Sequence, residues 1–125
     1  MIKALVVKDE ADISDLLAEQ VKAKGCRVQK TGNGKIALHR ISAQTPDVIF
    51  VDIMMPVIDC IDLIAELQKN PKMNQIPVVL VTAVSTPEVT MRAVELGVKF
   101  RLAKPWEQSE LDFVFESTLN LNKVS

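Results

Sequence analysis

Short apolar runs alternate with helix-like patterns along the whole chain, and this alternation constrains the fold more than any other feature. The runs with strand character are residues 2–7, 26–30, 47–52, 77–82 and 98–102. Between them, apolar residues recur at intervals of three and four, the spacing of a helix with one buried face. The sequence therefore predicts five strands, each followed by a helix.

Residues that commonly begin or end helices lie between these patterns. Asp12 and Ser109 are placed to cap the first and last helices, and Gly25 to end the first. Asn70-Pro71 ends the third helix, and the fourth runs from Thr86-Pro87-Glu88 to Gly97. The predicted buried faces include Ile13, Leu16, Leu17 and Val21 in the first helix, Ile36, Ala37, Leu38 and Ile41 in the second, Ile61, Leu63, Ile64 and Leu67 in the third, and Leu111, Val114, Phe115 and Leu119 in the last.

Strands 2–7, 47–52 and 77–82 are apolar at nearly every position. A strand of that composition is buried on both faces, which is typical of a parallel sheet between two layers of helices. A closed barrel requires eight such units, so five favour an open, doubly wound α/β sheet in a single domain, residues 1–125. In that class, ligands bind at the carboxyl ends of the strands.

Composition excludes several classes of function. The chain has 125 residues, 48% hydrophobic and 25% charged, with a formal net charge of −1. It has no global positive field for nucleic acid or an anionic membrane. Cys26 and Cys60 are too few for a disulfide framework, and we see neither a signal peptide nor a membrane-spanning segment. We therefore expect a cytoplasmic protein.

The residues at the predicted strand ends carry the chemistry. Strand one leads into Lys8-Asp9-Glu10, strand three ends in Asp52, strand four in Thr82, and strand five leads to Lys104-Pro105. Two carboxylates can hold Mg²⁺, while a hydroxyl and an ammonium suit phosphoryl oxygens, and a carboxylate can itself be the nucleophile. Taken alone, Asp9 is explained more simply as a cap, Thr82 as a turn residue and Lys104 as a solvated side chain. Asp52 is harder to explain in this way, because it ends a strand buried on both faces and is followed by IMMP, which is not capping chemistry. The joint position of the four residues at one sheet edge favours a functional site.

Four segments together resemble the receiver domains of two-component response regulators, the family of chemotaxis and transcriptional phospho-switches. They are VVKDEADI, DVIFVDIMMPVID, VVLVTA and LAKPW. The resemblance covers the full chain and implies a flavodoxin-like (βα)5 fold with strand order 2-1-3-4-5. It also implies a phosphorelay signalling switch rather than an enzyme, one that takes part in its own Mg²⁺-dependent phosphoryl transfer.

The resemblance implies a role for each site residue. Asp52 accepts a phosphoryl group from a histidine kinase or phosphotransfer protein, and Mg²⁺ is bound by Asp9, Asp52 and the Met54 carbonyl. Thr82 and Lys104 bind the phosphoryl oxygens, and the Lys104–Pro105 bond is cis, the peptide type in which cis costs least.

Three residues depart from the family pattern. Lys8 stands where the family usually has the first of two acids, and Cys60 where it usually has glycine. Arg101 occupies the position three before Lys104 that is usually an aromatic switch residue. Phe100 precedes it, but a one-residue move turns a strand side chain to the other face. Phe100 is therefore not expected to inherit that role, and we expect Arg101 to be exposed.

Two other classes of function compete with the phosphoacceptor: a docking module and an enzyme. A degenerate pseudo-receiver would be a docking module independent of phosphorylation, which Lys8 and Cys60 favour and the intact Asp9, Asp52, Thr82 and Lys104 oppose. An aspartyl-nucleophile phosphatase would need an acidic residue at the position of Met54. A flavin-binding protein would need a Ser/Thr/Gly-rich phosphate loop where this chain has the acidic Lys8-Asp9-Glu10. The sequence therefore fits neither form of the enzyme hypothesis.

The expected partners are proteins. We expect the face of helix four, strand five and helix five to bind a downstream protein or effector domain, with no direct nucleic acid or membrane contact. No DNA-binding segment follows the last helix in this sequence. Either the receiver acts alone through protein contacts, or an effector domain belongs to a longer chain.

Overall fold

The structure is a computed structural model that describes residues 2–7, 11–32, 34–52, 57–82, 91–92, 94–103 and 106–124. Within these ranges, five strands form one parallel sheet in the order β2-β1-β3-β4-β5. The strands are β1 (Lys3–Val7), β2 (Arg27–Thr31), β3 (Val48–Asp52), β4 (Val78–Thr82) and β5 (Phe100–Ala103). The predicted fold class and strand order are confirmed.

Four helices have described bounds: α1 (Ala11–Lys22), α2 (Gly34–Ala43), α3 (Val57–Lys69) and a last helix (Gln108–Val124). Residues 91–92 and 94–95 are also helical, inside the predicted fourth helix. None of the helices in the described ranges is long and apolar enough to span a membrane.

The helices cover the sheet on both faces and enclose two hydrophobic clusters. One cluster lies between the sheet and helices α2 and α3, and the other between the sheet and α1 with the last helix. All four residues from Val48 to Val51 in the central strand are 0% exposed. Burial on both faces explains why this strand is apolar at every one of these positions.

The predicted buried faces of α1 and α2 each include one residue that is exposed in the structure. Leu16 and Ile36 are 50% and 44% exposed instead of buried. Consecutive helical residues point about 100° apart, and the buried faces of α1 and α2 are centred on Leu17 and Ala37. The exposed residues lie one position before those centres.

Two predicted caps and one strand boundary are also wrong. α1 begins at Ala11 and the last helix at Gln108, so Asp12 and Ser109 lie inside their first turns. The backbone carbonyl of Glu107 accepts the hydrogen bonds that open the last helix. The fifth strand runs to Ala103, one residue further than predicted, because its pairing with β4 extends that far.

Two hydrogen bonds between Lys3 and Asp47 align β1 with β3 at the amino edge of the sheet. The backbone N–H of Lys3 donates to Asp47 Oδ2 at 2.8 Å, and the N–H of Asp47 donates to the carbonyl of Lys3 at 2.7 Å. From there the register runs in step to Val7 opposite Val51. This alignment sets the level at which the two strands reach the carboxyl edge.

Candidate functional site

Asp52 and Thr82 are the last residues of two neighbouring parallel strands. Asp52 ends β3 and pairs with Val81, so Thr82 ends β4 one residue further along the same edge. The structure describes the backbone of both residues. It thus brings the predicted nucleophile and the predicted hydroxyl to adjacent positions at the carboxyl edge, where ligands bind in this class of sheet.

β1 reaches the same edge on the other side of Asp52. Its last residue, Val7, pairs with Val51, directly before Asp52. Because β1 pairs with β2 on one side and β3 on the other, β1 and β3 flank the point where the direction of strand addition reverses. Lys8 and Asp9 follow Val7 in sequence and lie outside the described residues, so their predicted roles stay predictions.

β5 completes the edge beyond Thr82. Thr82 pairs with Ala103, the residue immediately before Lys104. Lys104 and Pro105, including the predicted cis bond between them, lie outside the described residues, as does Met54. The register places Ala103, which precedes Lys104 in the sequence, opposite Thr82.

Arg101 and Phe100 lie on opposite faces of β5. Phe100 is partly buried and packs against the cluster under α1 and the last helix. Arg101 pairs with Leu80, which belongs to the cluster on the other face, and is exposed. The expected exposure of Arg101 is confirmed. The aromatic ring at position 100 faces away from the side of the sheet that carries the family's usual switch position.

Trp106, two residues after Lys104, is hydrogen-bonded to α1. The indole Nε1 of Trp106 donates a hydrogen bond to Gln20 Oε1 at 2.7 Å, and Trp106 packs against the core on that face. In the turn that follows α1, the ammonium of Lys24 binds the carboxylate of Asp112 in the last helix and lies 5.6 Å from the ring centre of Phe115. These contacts tie α1 to the chain that follows β5.

The surroundings of Asp112 and Cys26 shift their pKa values in opposite directions. The Lys24 ammonium, and then the Gln108 amide, donate hydrogen bonds that hold the pKa of Asp112 below its usual value. Burial raises the pKa of the Cys26 thiol, with Lys24 opposing and Asp47 reinforcing the shift. Cys26 is 6% exposed, so its thiol stays protonated in the core at neutral pH.

Sequence reasoning missed Gln20 and Thr31. Gln20 is a polar position on an amphipathic helix, and nothing local signals that its partner is 86 residues away. Thr31 ends β2 beside Val7 and is 5% exposed, yet its hydroxyl has no hydrogen-bond partner among the residues described. Only the assembled sheet shows that this hydroxyl is buried.

The donor set at the carboxyl edge fits Mg²⁺ by its chemistry. Mg²⁺ prefers oxygen ligands, is often bound by one or two carboxylates, and keeps several waters. The strand register brings Asp52 beside the end of β1, from which Asp9 follows by two residues. Two carboxylates and a backbone carbonyl from Met54 would suffice for such a site.

Comparison with known proteins gives one consistent family. The family model described as "Response regulator receiver domain" matches residues 4–115. The regulatory protein AtoC of Escherichia coli K12 is 29% identical over 122 residues, 98% of this chain and 26% of that protein. A protein-glutamate methylesterase/protein-glutamine glutaminase of Syntrophomonas wolfei is 32% identical over 114 residues, 88% of this chain and 32% of its own length.

Solved structures agree with these sequence matches. The receiver domain of NtrX from Brucella abortus superposes with a TM-score of 0.84 at 28% identity, covering 94% of this chain and 98% of that domain. This chain spans between 26% and 49% of the length of the first curated relatives that it matches. Fold, strand order, family model and relatives all coincide: the chain belongs to the response regulator receiver domain family of two-component signalling switches.

Proposed function

We propose that residues 1–125 form one cytoplasmic receiver domain in which Asp52 accepts a phosphoryl group from a histidine kinase or a phosphotransfer protein. One observation carries the proposal. Asp52 and Thr82 end adjacent strands at the carboxyl edge, between the ends of the strands that lead to Asp9 and Lys104. That order of strand ends supports a site in which a nucleophilic carboxylate and phosphoryl-binding groups act together.

In the proposed reaction, a carboxylate oxygen of Asp52 attacks the phosphorus of a phosphohistidine. The new O–P bond forms as the N–P bond breaks, and the leaving imidazole keeps the electron pair and takes up a proton. Lys104 and the hydroxyl of Thr82 bind the phosphoryl oxygens and fix their orientation. When bound by Asp9, Asp52 and the Met54 carbonyl, Mg²⁺ would neutralise charge on those oxygens.

The response surface is proposed to be the face of the fourth predicted helix, β5 and the last helix. The described residues of these three elements include three exposed apolar side chains, Met91, Val94 and Phe113, which are 64%, 52% and 72% exposed. Arg101 is exposed on the strand of this face that pairs with β4, the strand ended by Thr82. A contact made by Thr82 only with the phosphoryl group would distinguish two states of this face. The partner is a downstream protein or effector domain, with no direct contact to nucleic acid or membrane.

Intact mass after incubation with acetyl phosphate and Mg²⁺ tests the proposal. The protein should gain the mass of one phosphoryl group, and Asp52→Asn should gain none. Asp62→Asn is the matched control, because Asp62 is an exposed carboxylate on α3, and it should gain the same mass as the unmodified sequence. No added mass in any of the three proteins would favour the pseudo-receiver, a docking module to which Lys8 and Cys60 point.

A further inference from the structure

A small cleft at the amino edge of the sheet gathers positive charge. It lies between β1, β2 and the end of α2, at the opposite end of the strands from Asp52. Its polar lining consists of Lys3, Arg27, Gln29, Arg40 and Gln44. Lys3 pairs with Arg27 and Leu5 with Gln29 across the two strands. Because Leu5 packs in the cluster under α2, these residues face the side that α2 covers.

The three cations of the cleft are not neutralised by the described part of the chain. Lys3, Arg27 and Arg40 make no side-chain ion pair with a described residue. The carboxylate of Asp47 accepts the backbone N–H of Lys3 and does not line the cleft. Arg40 lies in the last turn of α2, where a cation complements the helix dipole. Arg27 is exposed and Lys3 is half-buried, so water solvates these two charges.

The dimensions of the cleft limit what it can hold. Its inner part has a volume of about 20 Å³, and its free space including the open mouth is about 300 Å³. One water molecule needs about 10–15 Å³ on the same measure as the smaller volume. The inner part therefore holds one water or one oxygen of an anion, and the rest of a bound anion would lie in the open mouth.

We infer that this cleft binds one phosphate-class oxyanion, either free inorganic phosphate or the phosphate of a small phosphomonoester. Two guanidinium groups can donate paired hydrogen bonds to such an anion, and the Lys3 ammonium adds a point charge. The amides of Gln29 and Gln44 are further donors within the same lining. The site goes beyond the proposed phosphoryl transfer and uses none of its residues.

The cleft and the proposed phosphoacceptor edge are separate enough to be tested independently. β1 runs from Lys3 at the cleft to Val7 at the carboxyl edge, a rise of about 13 Å at the spacing of strand residues. Loss of the anion site should therefore leave acetyl phosphate labelling of Asp52 unchanged. Failure of either proposal does not decide the other.

An NMR titration with inorganic phosphate tests the inference. The ¹⁵N-labelled Asp52→Asn protein is titrated at constant ionic strength in EDTA, so that no divalent cation supports phosphate binding at the carboxyl edge. We expect saturable shifts at Lys3, Arg27, Gln29 and Arg40, with a Kd on the order of 1 mM, which corresponds to a modest binding free energy. Arg27→Gln and Arg40→Gln should each weaken binding by about fivefold or more. Arg92→Gln is the matched control, because Arg92 is exposed outside the cleft.

Titrations with two other anions show whether the cleft binds free phosphate or a phosphomonoester. Glycerol 2-phosphate binding as tightly as phosphate would assign a phosphomonoester site, whereas tight binding of phosphate alone would assign a free-phosphate site. Acetate should bind more weakly than either. The inference is overturned if the cleft shows no saturable shifts, or if folded Arg27→Gln and Arg40→Gln bind like the parent. Equal loss in Arg92→Gln, or binding of acetate as tight as phosphate, would also overturn it.

Discussion

Trp106 and Gln20 are joined by a 2.7 Å hydrogen bond across 86 residues of sequence. The indole belongs to the segment that follows β5, two residues after Lys104, and the amide belongs to α1. The bond therefore links the part of the chain next to the proposed site to a helix that packs on the sheet.

Removing the acceptor should weaken this link. Gln20→Met keeps the length of the side chain but leaves the partly buried indole N–H without its partner, so the free energy of unfolding should fall by about 1 kcal/mol. Urea unfolding followed by circular dichroism measures the change. Glu19→Met, at an exposed neighbour on α1, is the control and should stay within about 0.5 kcal/mol. Equal stability of Gln20→Met and the parent would mean that water replaces the amide.

Asp112 should contribute to stability in a pH-dependent way. Lys24, and then Gln108, lower its folded pKa below the ordinary value of 3.8. A lowered folded pKa contributes stability that is present above the unfolded value and lost as the pH falls through the folded value. Asp112→Asn should therefore reduce stability at pH 7 and make the acid limb below about pH 4 less steep. Urea midpoints between pH 7 and pH 2 measure this, and parallel curves for both proteins would contradict it.

Two buried threonines should respond oppositely to the same substitution. Thr31→Val removes a buried hydroxyl that lacks a described partner, so stability should rise by about 1 kcal/mol. Thr118→Val removes a hydroxyl that donates to the carbonyl of Phe115 at 2.7 Å, so stability should fall by about 1 kcal/mol. Both valines keep the shape of the side chain. A loss of stability in Thr31→Val would show that its hydroxyl is satisfied by bound water.

Thr82 should report phosphorylation without being needed for it. Thr82→Ala should still gain one phosphoryl group at Asp52, because the hydroxyl binds the product and does not attack. Amide shifts between Thr82 and Trp106 on addition of beryllofluoride and Mg²⁺ should exceed those in α2 for the parent sequence, and should shrink in Thr82→Ala. Thr82→Ser, which keeps the hydroxyl, should restore them. A Thr82→Ala protein that cannot be phosphorylated would show that its assigned role is wrong.

Lys8 should weaken Mg²⁺ binding at the proposed site. Lys8→Asp replaces a cation with an acid, and recovery of about 1.4 kcal/mol would tighten Mg²⁺ binding tenfold. Trp106, the only tryptophan, provides a fluorescence titration, with calorimetry as a check. Lys99→Asp makes the same charge change at an exposed position before β5 and should have little effect. Equal affinity in Lys8→Asp and the parent would mean that Lys8 points away from the metal.

The types of element, the five strands and the parallel sheet could be predicted from the sequence. A strand that is buried on both faces is a continuous run of apolar residues, as in Val48–Val51. A helix with one buried face has apolar residues at every third or fourth position. Both patterns can be recognised from neighbouring residues in the sequence. The residues at the strand ends were equally visible, because chain position alone assigns Asp52 and Thr82 to the ends of apolar runs. The family pattern supplied the strand order.

Contacts between residues of different elements could not be predicted in this way and are known from the tertiary structure. The Lys3–Asp47 exchange sets the register that brings Val7 level with Val51, and the packing of α1 and α2 leaves Leu16 and Ile36 exposed. The Gln20–Trp106 bond and the cleft between Arg27 and Arg40 join residues from separate elements. A periodic pattern records whether a side chain is buried, but its contacts depend on how the helices are placed across the sheet, and no local pattern records that placement.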